Sequence, residues 1–150
     1  MKKLLVILSL LLTHHAFADE NWNKSSSKDE NGKEYQLYTL FSQNKDKDGN
    51  QAALMLISPK ENIFSKIGFV KTSGAIDCPN FCQYYIQLDN NAAKYTFSAE
   101  NNAIKLENNQ KDEFLKSLKT SKELTLSLGK QRYFFNTQNP NWTYTDEVKK

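Results

Sequence analysis

The chain has 150 residues, 39% of them hydrophobic and 25% charged, with a formal net charge of +3. That is the size of one domain with enough apolar side chains to bury a core without many cross-links. So small a net charge gives no electrostatic case for a nucleic-acid partner.

Met1-Lys2-Lys3 makes a positive start, residues 4–12 form an apolar run broken only by Ser9, and Ala16-Phe17-Ala18 places small residues at cleavage spacing. This is the order of a secretory signal peptide. The reading predicts cleavage near Ala18 and a periplasmic or otherwise secreted protein, with a bacterial periplasm favoured. The run is far short of the roughly 20 apolar residues that a spanning helix needs. Asp19, not a cysteine, follows the expected cut, so neither a membrane span nor a lipid anchor is expected. Removal of residues 1–18 leaves 132 residues with 18 basic and 17 acidic side chains, a net charge of +1, and takes away His14 and His15, the only histidines.

Residues 19–34 are polar, with Ser25-Ser26-Ser27 and Asp29-Glu30-Asn31-Gly32 around a single large apolar residue, Trp22. They read as a flexible lead-in. A single β-rich domain is expected over 35–142, where short β-branched and aromatic runs are separated by Asn, Asp, Gly, Lys and Pro. The predicted strands are 35–42, 51–58, 65–72, 83–89, 94–99, 103–107, 123–129 and 131–137. Tyr84, Ile86 and Leu88, then Tyr95 and Phe97, then Leu124, Leu126 and Leu128 alternate as half-buried strands require.

One segment departs from this two-residue period. Asn109 is placed to cap a helix over about 110–119, with Phe114, Leu115 and Leu118 on one side and Asp112-Glu113 in the first turn, where the helix dipole favours acids. The expected fold is therefore mainly β, a single antiparallel β-sandwich or curled sheet with one short helix before the last two strands. Residues 143–150 read as a polar tail.

Cys78 and Cys82 enclose Pro79-Asn80-Phe81. In an oxidising compartment two thiols so close in sequence pair, provided that the segment turns back on itself. A redox motif would have two residues between the cysteines; here there are three, so the pair reads as a structural disulfide.

The early Trp22, the cysteine pair, Phe97, the run from Phe114 through Leu118 to Leu124 and the closing Phe134-Phe135 together resemble small Gram-negative periplasmic β-sandwich proteins of the invasion-associated locus B kind. The likeness covers about the last half of the chain. It implies a short helix leading directly into a strand, and it transfers no functional residue.

With no histidine left after residue 18, neither Ser-His-Asp nor Cys-His chemistry can be assembled, nor can a His-containing zinc site. Asn44-Lys45-Asp46-Lys47-Asp48-Gly49-Asn50 copies the start of an EF-hand loop, but position twelve is Met55 and two lysines dilute the charge. A polar hairpin loop explains the same residues. No catalytic residue, metal or cofactor is expected. Recognition of a protein or envelope component remains, with Phe81 as the anchor on the cysteine loop, one of Tyr84 and Tyr85 exposed, and Trp142 as a further contact ring. The function expected is a non-catalytic interaction module, either an inhibitor, an immunity protein or an envelope factor. The alternative is a histidine-free hydrolase using carboxylates or a Ser/Lys pair.

Overall fold

The computed structural model describes residues 21–60 and 63–144; the expected signal peptide and residues 145–150 lie outside them. Among the described residues nine strands, β1 (Trp22–Lys28), β2 (Glu34–Phe41), β3 (Ala52–Ser58), β4 (Lys66–Lys71), β5 (Phe81–Leu88), β6 (Asn91–Glu100), β7 (Ala103–Leu106), β8 (Glu123–Leu128) and β9 (Gln131–Asn136), accompany one α-helix, α1 (Lys111–Thr120). All nine strands belong to one sheet in the order β1-β2-β3-β4-β7-β6-β5-β8-β9, and every pairing is antiparallel. The architecture is thus the curled sheet and not the two-sheet sandwich.

The curl brings β9 back to the end of β2. The Gln43 N–H donates to the Phe134 carbonyl at 2.7 Å. The Asn44 side chain donates to the Arg132 carbonyl and accepts from the Phe134 N–H, both at 2.8 Å. Nearby, the Trp22 indole N–H donates to the Thr137 carbonyl at 3.3 Å. These bonds leave a barrel-like wall whose inward side chains, among them Leu40, Leu54, Phe69, Phe97, Leu126 and Phe135, form the main core. A smaller apolar cluster of Leu37, Ala53, Met55, Val70 and Ala103 occupies the other face of β2, β3, β4 and β7. β4 and β7 approach closely at Gly68, where a Cβ would lie 2.6 Å from the Ile104 carbonyl oxygen.

Helix α1 closes one end of the wall. Phe114, Leu115 and Leu118 are fully buried in the main core, and the Phe114 ring meets Tyr95 edge-on at 5.5 Å. The expected capping by Asn109 does not occur. Asn109 lies in a 3-10 turn over Asn108–Gln110, and α1 begins at Lys111 with no side-chain cap. Gln110 ties the helix start to the sheet instead, its Oε1 accepting the Thr96 N–H at 2.7 Å. At the other end of the helix, the Asp89 carboxylate accepts the N–H groups of Lys122 and Glu123 at 2.9 and 3.1 Å.

The reading of residues 19–34 as a flexible lead-in is corrected. Seven of them form β1, registered from Trp22 opposite Leu40 to Lys28 opposite Glu34. An edge strand needs no alternating pattern when one residue fixes it, and the fixing residue is Trp22, 1% exposed and T-stacked on Trp142 at 5.5 Å. The packed domain therefore starts at Trp22. It also extends past 142, because the Tyr144 hydroxyl donates to Asp112 at 2.6 Å.

Candidate functional site

Cys78 and Cys82 are bonded, with their Cα atoms 5.4 Å apart. Cys82 is the second residue of β5 and pairs with Phe97, whose side chain is in the core, so the cysteine points inward and Phe81, before it, points outward. Three further bonds hold this loop. The Ala99 N–H donates to the Asn80 carbonyl at 2.8 Å and the Ile76 N–H to the Asn102 carbonyl at 3.3 Å. The Tyr84 hydroxyl donates to the Asp77 carbonyl. The result is a fixed loop that ends in a ring 68% exposed to solvent.

Of the two tyrosines, Tyr85 is exposed and Tyr84 faces inward, its ring 6.4 Å from that of Phe97. Burial, reinforced by the negative charge of Asp77, raises the Tyr84 pKa above its ordinary value. Trp142 is corrected. It is 3% exposed, wedged between Trp22 and Phe64 at 5.5 and 5.6 Å, and so cannot serve as a contact ring. Its pairing with Trp22 was hidden because residues so far apart in sequence meet only once the sheet has curled.

Among the described residues three large apolar side chains are exposed, Phe81, Tyr85 and Phe134. The strand registers place all three on one face. Tyr85 lies opposite Lys94 on β6 and Ser127 on β8, and Ser127 lies opposite Arg132 on β9. The next outward row runs Ala92, Gln87, Thr125, Phe134, and on the other side come Thr96 with Gln83 and Ser98 with Phe81. At about 3.4 Å per residue and 4.8 Å per strand, Tyr85 is about 14 Å from Phe81 and about 12 Å from Phe134. The Lys94 ammonium stands 5.1 Å from the centre of the Tyr85 ring, a cation–π contact that fixes both side chains. Across β6, β5, β8 and β9 the outward rows that carry the rings otherwise hold Gln, Ser, Thr and Ala, with Lys94 on β6 and Arg132 on β9 as their charges. Sequence reasoning missed Phe134, Lys94 and Arg132. The outward phase of Phe134 was legible from the two-residue period once Tyr133 and Phe135 are counted as core.

A second feature lies at the end of the wall opposite α1. Loop 42–51, the cysteine loop and the β8–β9 turn frame a cavity of about 450 Å³ whose lining includes Asp46, Asp48, Lys71, Asp77, Tyr84 and Tyr133. One of its acids, Asp46, serves the loop that frames it. Asp46 Oδ1 accepts the N–H groups of Asp48 and Asn50, each at 2.9 Å, and Oδ2 accepts the Tyr133 hydroxyl at 2.8 Å. These bonds, that from Asn50 first, hold the Asp46 carboxyl below the usual aspartate range despite some desolvation. Burial first, and then the Asp46 bond, push Tyr133 well above the ordinary tyrosine value. An acid held ionised with both oxygens engaged is a loop staple and not a proton donor. The EF-hand-like segment is thus a hairpin loop, with Gly49 at φ +83° completing its turn. Among the described residues no group of three or more His, Cys, Asp or Glu side chains is arranged to hold a metal.

The chain matches no family model, no curated protein and no solved structure. Known proteins therefore assign no role to any residue of this face or of the cavity. Among the described residues no helix is long and apolar enough to cross a membrane.

Proposed function

We propose that the protein is a secreted, periplasmic, non-catalytic interaction module that docks a partner protein on the outer face of β5, β8 and β9, as an inhibitor, immunity protein or envelope-associated factor does. The observation that carries this reading is that Phe81, Tyr85 and Phe134, the exposed large apolar side chains among the described residues, share one face. Exposed aromatic rings gathered on one face can anchor a partner, each entering its own pocket. A ring held on a closed loop loses little further entropy when it enters a partner's pocket. The disulfide is compatible with export, and the signal-like residues 1–18 support the compartment.

The test is capture from a periplasmic extract on immobilised protein beginning at Asp19, followed by mass spectrometry and by the same capture with Phe81→Ala. The reading expects one stoichiometric partner whose affinity drops roughly 30-fold or more, since a hot-spot ring is worth about 2 kcal/mol. Equal affinity for the variant would place the contact elsewhere. The hydrolase alternative would use the cavity between the loops, and Asp48→Asn together with Asp77→Asn would abolish any turnover found.

A further inference from the structure

We infer that the partner presents an acidic polypeptide surface to this face. The inference rests on the reading of the face as a docking site and adds the chemistry that selects the partner. The charged side chains in the transverse row through Tyr85 are both positive: Lys94 on β6, over the Tyr85 ring, and Arg132 on β9, three strands from Lys94. Neither forms an ion pair with a described residue, the ion pair of that kind being Lys66 with Glu100 at 2.7 Å. Two acids border these rows, Glu123 opposite Asn136, beyond Thr125 and Phe134, and Glu100, two residues past Ser98 and already paired with Lys66.

On a chain whose expected exported form carries 18 basic and 17 acidic residues, such a one-signed area is a local arrangement. Desolvated by a neutral apolar partner, both cations would be stranded without a counter-charge, which is costly. Opposite carboxylates they would be satisfied, and the Arg132 guanidinium can take a carboxylate in two-point fashion. Ser127 between them and the Gln and Thr side chains of the flanking rows can donate to the same acids, while the three rings supply the apolar contact. Acidic groups beside small apolar pockets are therefore the complement of this face. Anionic polysaccharide would satisfy the cations but leave Phe81 and Phe134 facing a polar chain.

The experiment uses the exported form with its disulfide intact and a fluorescein-labelled random copolymer of glutamate and tyrosine, read by fluorescence anisotropy. Saturable binding that weakens as salt is raised is expected, reduced roughly tenfold or more in Lys94→Glu/Arg132→Glu and by an intermediate factor in Lys94→Gln/Arg132→Gln. Phe134→Ser should also weaken it, whereas dextran sulfate should compete poorly. Unchanged binding by the charge-reversed variant overturns the proposal, as does no binding of the copolymer. Dextran sulfate competing as well as the unlabelled copolymer would mean an anion site without polypeptide preference, and overturns it too. If Phe81→Ala abolishes capture of the extract partner while both charge variants keep full affinity, the acidic partner is wrong and the docking face stands.

Discussion

Phe134 and Phe135 are adjacent in sequence and lie on opposite faces of β9, so one substitution applied to each separates core from contact surface. Phe135 is 1% exposed and packs on Phe69 with ring centres 5.9 Å apart. Phe135→Ala removes a buried ring and leaves a cavity, at a cost of about 3–5 kcal/mol. Phe134 is 45% exposed, so its truncation forfeits about half of a ring's transfer free energy and encloses no void, which comes to about 1 kcal/mol. For a domain of this size 1 kcal/mol lowers Tm by about 4 °C, so the drops should be about 12–20 °C and about 4 °C. Thermal melts by circular dichroism with urea titrations at a fixed temperature would measure both. Equal losses, or a larger loss at position 134, would refute the facing of β9 and with it the aromatic face.

Leu118→Ala should cost about 2–5 kcal/mol, because Leu118 is fully buried where α1 closes the wall, whereas Lys119→Ala should change urea stability by no more than about 0.5 kcal/mol. Cys78→Ser/Cys82→Ser should cost no more than about 2 kcal/mol for so short a loop while lowering partner affinity, as Phe81 loses its fixed position; calorimetry and binding assays read the two effects separately. Asp46 has a lowered folded-state pKa, so its stabilisation is full above the ordinary aspartate value of about 3.9 and is lost as pH falls through the folded value. Asp46→Asn should accordingly flatten the acid limb of a Tm-against-pH curve. Tyr133 has a raised pKa, so its stabilisation is complete below about pH 10 and lost as pH rises above that; Tyr133→Phe should make the alkaline limb shallower.

Most of the fold is legible in the residue pattern. Leu124, Leu126 and Leu128, like Tyr84, Ile86 and Leu88, show their strands by alternation, and Phe114, Leu115 and Leu118 show the helix, because each element buries one side against a single core. What escapes is whatever depends on closure. The Ser25-Ser26-Ser27 strand has no apolar face, since β2 and Trp22 hold it. Trp142 looks like an exposed terminal ring until Trp22 and Phe64 surround it. The site was half legible. Phe81 and the exposure of one tyrosine follow from the cysteine loop and the strand period, but the meeting of Phe134, Arg132 and Lys94 with Tyr85 needs the strand order β6-β5-β8-β9. No local pattern encodes that order.

The central claim is that a partner covers the outer face of β5, β8 and β9, and side-chain oxidation footprinting by hydroxyl radicals with the captured partner tests it most directly. Phe81, Tyr85 and Phe134 are reactive in the free protein by virtue of their exposure. On complex formation all three should lose most of their oxidation together, while residues lining the cavity between the loops, such as Leu128, stay unchanged. Continued oxidation of the three rings in a saturated complex, with protection confined to that cavity or to α1, would contradict the account.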